Sequence, residues 1–515
     1  WTSILHLQPQ ASLLELDHPV VRMTRDAQGR PDWASGPGAG SLSEPIAVQR
    51  LRITDGRLLY ADAEHGTKLD AAVTADPDAA DGMGLHVDGG GVSLMGPWRV
   101  SFRGPATGLG AKRDYPLRVA LQQGPSHFSF AGALPPGLDA LHIHGVIDAS
   151  GQDMHDLARL MLVPFPHTAP YRVTATLKRD DRAFALTGMH GRTGASDLSG
   201  SLTITQEKSG RRLDGAFTSP DLALGDLLVI ATGGQAGTGR AHKAGGGLIP
   251  AVKVDAAPLR PLTGAITMDA PHVQPTGGMA IRALKLKATF DHGRIATAPL
   301  MLALPRGSTV WNLGLDARTA RTALSLDLAL HDAATPDLFG PGAAHAPIAA
   351  RIDGRIHLKG AGETLHAAAA ESSGSARFTG EGAVDRTDAA VMGGDLRGAF
   401  ASLLSHQKGA VRMSCLAADF LVKDGKARSQ KLVFVTSAGR VQGEGGVDLG
   451  PETLDFTLKG DPAHPGLVKP GAYVTVSGPI THPHAQLQQG GPGGILKSLL
   501  SVIPKPGAAK PTPGC

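Results

Sequence analysis

Apolar and polar residues alternate one by one along most of this chain. Near the C-terminus Leu454, Phe456 and Leu458 are interleaved with Thr453, Asp455, Thr457 and Lys459, and Val474 and Val476 with Tyr473, Thr475 and Ser477. A period of two puts every second side chain on the same side of a strand, so each run predicts a strand with one oily and one wet face. Asp424-Gly425, Ser437-Ala438-Gly439 and Gly450-Pro451-Glu452 separate the runs. They supply the positive or preset φ that tight reversals need. Residues 411–478 therefore predict a meander of about five strands.

The same alternation fills the rest of the chain. Leu284, Leu286, Ala288 and Phe290 share one face, as do Leu324, Leu326, Leu328 and Leu330, opposite Ser325, Asp327 and His331. "LRITDGRLLY", "LKATFDHGRIAT" and "ADFLVKDGKARSQKLVF" follow one design of strand, Asp-(x)-Gly reversal and strand. Repetition of one hairpin implies stacking along one direction. "LDGAFTSPDLALGDLL" is expected to be a further hairpin. The period changes at residues 153–162, where Met154, Leu157, Leu160 and Met161 lie on one face of a short helix that Asp153 can cap and Pro164 stops. Another helix is expected at 495–503.

The Gly-rich, polar stretch 233–258 reads as a linker. It divides the chain into residues 1–232 and 259–489, followed by a Pro/Gly-rich tail at 490–515. At 515 residues the chain exceeds one ordinary globular core. Aromatics are 4%, against 68 Gly and 37 Pro, which suits thin sheets and many turns. Fifty Lys+Arg against 46 Asp+Glu leaves a net charge of +4, and no basic run forms a nucleic-acid stripe. The apolar run 495–503 is far short of the ~20 residues of a membrane span. The chain begins in mid-pattern on Trp1, so a segment is expected to precede it.

Three strings carry a family resemblance. The first is Cys415, Asp419, Phe420, Val422, Asp424 and Gly425, followed by "GEGGVDLGPETLDFTLKG" and "VTVSGPITHPHAQL" with a terminal cysteine. The second is Gly191, Arg192, Gly194, Ser196, Asp197, Leu198 and Gly200. The third is Asp17, Pro19, Asp26, Gly29, Asp32 and Trp33. Together they resemble the AsmA family of Gram-negative envelope proteins, within its TamB-type β-groove proteins. The resemblance implies a mostly β fold: an elongated, repetitive antiparallel sheet curled into an open apolar groove, with one or two short helices. It implies a periplasmic location, with an inner-membrane anchor in the missing N-terminal segment. The implied role is a lipid-binding or lipid-transfer scaffold for phospholipid transport to, and biogenesis of, the outer membrane. The implied partners are phospholipid acyl chains, the inner membrane and outer-membrane assembly factors, with no nucleic acid. Leu284, Leu286, Leu324, Leu326, Leu328, Leu330, Leu454, Phe456 and Leu458 are the expected groove residues. The oxidising periplasm that the resemblance implies makes a Cys415–Cys515 disulfide the expectation for the only two cysteines.

No catalytic constellation or cofactor is expected, so the chain is not expected to be an enzyme. No Gly-rich string ends in Gly-Lys-Ser/Thr, and no Gly-x-Ser-x-Gly occurs. His142-x-His144 and His482-Pro-His484 place two imidazoles on one strand face, but no third ligand repeats the geometry, and no metal is expected. Periodicity alone favours a plainer account of the stripes, the buried core of a closed sandwich. The alternative function is therefore a structural or regulatory factor for outer-membrane protein assembly, without a lipid conduit. A polysaccharide-cleaving β-solenoid fares worst, because aromatic residues are scarce.

Overall fold

The computed structural model describes residues 10–32, 47–93, 96–109, 113–136, 142–156, 167–231, 249, 260–274, 280–297, 299–319, 321–339, 348–384, 411–437, 439–462, 473–480 and 483–488. Most of them are in strands. The chain divides into two compact units, Trp1–Thr218 with Val229–Gly234, and Ser219–Leu228 with Gln235–Cys515.

The first unit contains β1 (Gln10–Ala11), β2 (Leu14–Asp17), β3 (Val20–Arg25), β4 (Ala47–Asp62), β5 (Thr67–Ala75), β6 (Leu85–Ser93), β7 (Gly96–Gly104), β8 (Thr107–Leu109), β9 (Tyr115–Gln123), β10 (Ser126–Leu134), β11 (His144–Gly151), β12 (Tyr171–Arg179), β13 (Ala183–Thr193), β14 (Ser196–Glu207) and β15 (Gly210–Thr218). From β4 to β15 each strand pairs antiparallel with the one before it, except that the short β8 pairs antiparallel with β4 and β9 pairs with β7. At the edge, β1, β2 and β3 pair parallel with successive stretches of β4.

The second unit begins with β16 (Leu222–Ala223) and the first turn of helix α1 (Leu224–Ala231). It continues through β17 (Leu262–Ala270), β18 (Val273–Gln274), β19 (Ala283–Asp291), β20 (Arg294–Thr297), β21 (Leu300–Ala303), β22 (Ser308–Asp316), β23 (Thr322–Ala334), α2 (Thr335–Phe339), β24 (Ile348–Gly362), α3 (Leu365–Ala370), β25 (Ser373–Val384), β26 (Val411–Lys423), β27 (Lys426–Thr436), β28 (Gly439–Asp448), β29 (Thr453–Pro462), β30 (Tyr473–Pro479) and β31 (His484–Gln488). β19 pairs with β17 on one side and with β20 and β21 on the other; those two pair with β22. From β22 to β31 every strand pairs antiparallel with the next.

The expected mostly β, repetitive, largely antiparallel fold is what the structure shows, with three described α-helices. Two of the Asp-(x)-Gly sites are hairpin turns. Asp424 and Gly425, at φ 50° and 70°, join β26 to β27, and His292 and Gly293, at 46° and 88°, join β19 to β20. Two consecutive positive φ values match the right-handed twist of the flanking strands.

The third site is different. Asp55 has φ 48°, yet β4 runs straight through it, and the pairing with β5 slips between Ile53 and Gly56. This is a bulge, not a reversal. The segment expected to hairpin after β15 instead gives β16 and α1. Of the 153–162 helix, only its start at His155–Asp156 is among the described residues. The linker 233–258, apart from Ile249, the helix at 495–503 and the tail lie outside them.

Candidate functional site

The nine expected groove residues fall on one face of the second unit, and strand register brings them into line. Leu284 is opposite Leu302, Leu302 opposite Thr309, and Thr309 opposite Leu330. The row continues through Gly354, Phe378, Ala418 and Leu432. A Cβ built on Gly443 would stand 2.5 Å from Leu432 and 2.8 Å from Leu458, so the glycine lets those two leucines close over β28. Leu458 in turn faces Val474. Parallel rows run Trp311, Leu328, Ile356, Ala376 and Phe420, and Leu313, Leu326, Leu358 and Gly374. Leu324 faces Leu315, Leu286 faces Met268, and Leu454 faces Val447. The Phe420 and Phe456 rings meet edge to face at 6.2 Å, reaching across two intervening strands.

Burial along this face is graded. Leu284, Leu328, Leu330 and Leu458 are buried, whereas Leu286, Leu324, Leu326, Leu454 and Phe456 are half-buried. In β22 the gradient runs from Thr309, fully buried, through half-buried Trp311, to Leu313 at 39% exposed. In β24 it runs from buried Ala350 to half-buried Leu358. The buried residues lie towards the strand ends that carry α2, and the half-buried ones towards the ends that carry α3. β26 departs from the trend, since Val422 is buried near α3.

The closed end has a local cause. Leu338 of α2 packs on Leu304, Leu328, Leu330 and Ala333. Arg306 holds Asp337 through two hydrogen bonds of 3.1 and 3.2 Å, and the Thr335 hydroxyl accepts from the Ala350 N–H. α3 is capped by Thr364, whose hydroxyl accepts from the Ala367 N–H at 3.0 Å.

The first unit has an equivalent face. One row runs Leu58, Ala71, Gly89, Val100, Leu121, Phe128, Ala149, Val173, Gly191 and Leu198. Its neighbour runs Val73, Val87, Phe102, Val119, Phe130, Ile147 and Ala175. Here the middle strands pack into one continuous cluster that includes Tyr115, Phe128, Phe130, Tyr171 and Leu177. Each such side chain taken from water stabilises the fold by about 1.5–3 kcal/mol. Burial pushes the Tyr115 hydroxyl up to about 12, and it donates to the Pro105 carbonyl at 2.6 Å. Burial, with Asp156 and Asp153 nearby, raises the Tyr171 hydroxyl as well.

At the margin of this cluster Asp153 clasps the chain. Its carboxylate accepts from the His155 and Thr168 N–H groups and lies 2.6 Å from the His167 ring, which stacks on His155. Burial works to raise its pKa, but the hydrogen bonds outweigh that and hold it below the usual carboxylate value.

The opposite faces are polar, and cross-strand ion pairs tie neighbours together: Arg57 with Asp70, Lys285 with Asp269, Arg377 with Asp419. Such exposed pairs contribute about 0–1 kcal/mol each.

His142 and His144 do not converge. The first lies 3.5 Å from Asp181 and the second 3.9 Å from Asp114. His482 is outside the described residues. Asp62, Glu64 and His65, which the pattern did not single out, gather potential ligand atoms within 4.8 Å at the turn after β4. Asp62 is already satisfied there by the His65 N–H and ring and by the Tyr60 hydroxyl, so the group reads as a turn clasp. Cys415 is buried at 4% exposure, and Cys515 lies outside the described residues.

These features define a repetitive β protein whose consecutive strands align an apolar face within each unit. The chain is similar to the AsmA family protein YhjG of Escherichia coli (strain K12), with 22% identity over 551 residues that cover 96% of this chain and 79% of that protein. No family model matches the chain. The similarity runs through nearly the whole length of the chain and supports membership of the AsmA family. Among the described residues, no helix is long and apolar enough to cross a membrane.

Proposed function

We propose that this protein is a lipid-binding scaffold of the cell envelope, with acyl chains seated on the apolar face of the second unit. The observation that carries this reading is the half-buried end of that face. Leu313, Leu315, Leu324, Leu326 and Leu358 are apolar and aligned in register, yet remain partly open. A soluble surface seldom leaves a large apolar patch uncovered, because each Å² exposed to water costs about 25 cal/mol. Alkyl chains satisfy such a surface without any chemical step, so the role requires no catalytic residue. Similarity to an AsmA family protein supports placing the protein in the envelope, on the periplasmic side and anchored to the inner membrane. Its task there is to support phospholipid transport to, and biogenesis of, the outer membrane.

The test is mass spectrometry of lipids that co-purify with the chain, alongside thermal unfolding of Leu326→Asp. The expected result is stoichiometric phospholipid on the wild type, with loss of lipid and retained folding in the variant. A variant that unfolds, or a wild type free of lipid, supports the alternative of a closed structural factor for outer-membrane protein assembly. The packed aromatic cluster of the first unit favours that alternative for its own face.

A further inference from the structure

The polar face of the first unit contains a hollow of about 420 Å³ spanning β6, β7, β9, β10 and β11. Register explains it. The row Asp88, Ser101, Ala120, Ser129 and Asp148 places three small side chains between two carboxylates. Two residues along the strands, the next row presents Arg99, Gln122 and His127 side by side. Small residues therefore make a floor, a carboxylate stands at each end, and three nitrogen donors form one wall. Arg99 and His127 are two strand spacings apart, about 9–10 Å between Cα atoms.

Elsewhere on the polar face several facing charges are paired across strands, as in Arg57–Asp70, Arg294–Asp316 and Arg351–Asp332. Among the described residues, Asp88, Arg99, Gln122 and His127 make no side-chain hydrogen bond or ion pair, and Asp148 accepts one bond, from Thr174. Unpaired donors and acceptors of both signs line a cavity within the ordinary size range of small-ligand sites.

We propose that this hollow binds a small zwitterionic phosphodiester, with the phosphate against Arg99, Gln122 and His127 and the ammonium group against Asp88 or Asp148. A guanidinium matches phosphate oxygens in a two-pronged fashion, and the flanking amide and imidazole extend the donor row beyond what a carboxylate would use. The site lies on the face of the first unit opposite its own apolar rows and does not depend on lipid occupying the second unit.

The experiment is a titration of the full chain, followed by calorimetry and by NMR of the His127 ring, with three probes. These are glycerophosphoethanolamine, glycerol 3-phosphate, and vesicles containing phosphatidylethanolamine. Binding of the zwitterion, weakened roughly 10- to 100-fold in Arg99→Gln and in Asp88→Asn/Asp148→Asn, with unchanged melting temperatures, is the expected result. Binding of the vesicles but not of the soluble compound assigns the same chemistry to a lipid headgroup; binding of the soluble compound assigns it to a free metabolite. Equal affinity for glycerol 3-phosphate, equal affinity in the variants, or no binding of either zwitterion overturns the proposal.

Discussion

The two units build an apolar face from the same repeat but complete it differently. In the first, aromatic and branched residues from β9 to β13 merge into one buried cluster. In the second, the face breaks into smaller clusters, around Leu284 and Leu302, around Leu328 and Leu330, around Met413, and around Val441 and Val474. Half-buried leucines and glycines such as Gly354 and Gly374 lie between them. The difference teaches that alternation sets which side chains share a face. The sizes of the cross-strand partners set whether that face fills itself. Phe130 lies between Val119 and Ile147, and the three fill their row, whereas Leu358 faces Gly374. Over Gly360, opposite Leu324, the α3 backbone takes the place of a side chain, with the Ala368 carbonyl oxygen 2.0 Å from where a Cβ would stand.

The severest way to break the comparison is to place a charge on each face. Phe130→Asp buries a carboxylate in a packed cluster and is expected to cost more than about 4 kcal/mol, enough to unfold the first unit. Leu326→Asp, on the half-open face, is expected to leave the far-ultraviolet dichroism and cooperative melting in place. Equal collapse of both variants in urea titrations would erase the distinction between the faces.

A covalent tie is the next largest effect. We propose that Cys415 pairs with Cys515, closing a loop of about 100 residues and contributing roughly 4–5 kcal/mol as an upper value. The second unit would then hold by cross-linking part of what the first holds by packing. Non-reducing peptide mapping should find the linked pair, and the melting temperature should fall on reduction. Two free thiols would remove this element of the contrast.

Truncation sharpens the comparison further. Phe130→Ala should destabilise the chain by about 3–5 kcal/mol through lost contacts and a residual cavity. Leu313→Ala, 39% exposed, should cost under about 1 kcal/mol, measured by the same urea titrations.

The smallest effect is pH-dependent and confined to the first unit. The folded pKa of Asp153 lies below its unfolded value, so its clasp contributes fully above about pH 4. The contribution is lost as pH falls through the folded value. Asp153→Asn should therefore lower the melting temperature at pH 6, and the gap from wild type should narrow progressively as pH falls below about 4. A gap independent of pH would show that the carboxylate charge is not what holds the turn.

Much of this was legible in the sequence because a period of two is a local signal. Leu324–Leu330 and Leu454–Leu458 could be assigned to faces without any knowledge of their neighbours. Asp55-Gly56 reads as a reversal in the sequence because a bulge and a two-residue turn call on the same chemistry, a residue at positive φ followed by glycine. Only the pairing with β5 tells them apart. α2 and α3, at five and six residues, are too short to show a helical period. The burial gradient was beyond reach for a different reason. It depends on which residue of one strand faces which of the next, and on α2 packing beneath Leu328 and Leu330, neither of which is written within one strand. The hollow at Asp88–Asp148 likewise exists only once five strands are in register.

The nearest-neighbour strand order within each unit also bears on how the chain can acquire its structure. From β9 to β15, and again from β22 to β31, each strand finds its partner in the segment made just before it. Contacts that are close in sequence keep loop-closure entropy small and favour rapid folding. Such a sheet can lengthen one hairpin at a time during synthesis, exposing one open edge rather than a whole unpaired chain. Exceptions include the parallel pairings of β1, β2 and β3, which must wait for β4 to emerge, and the pairing of β8 back onto β4.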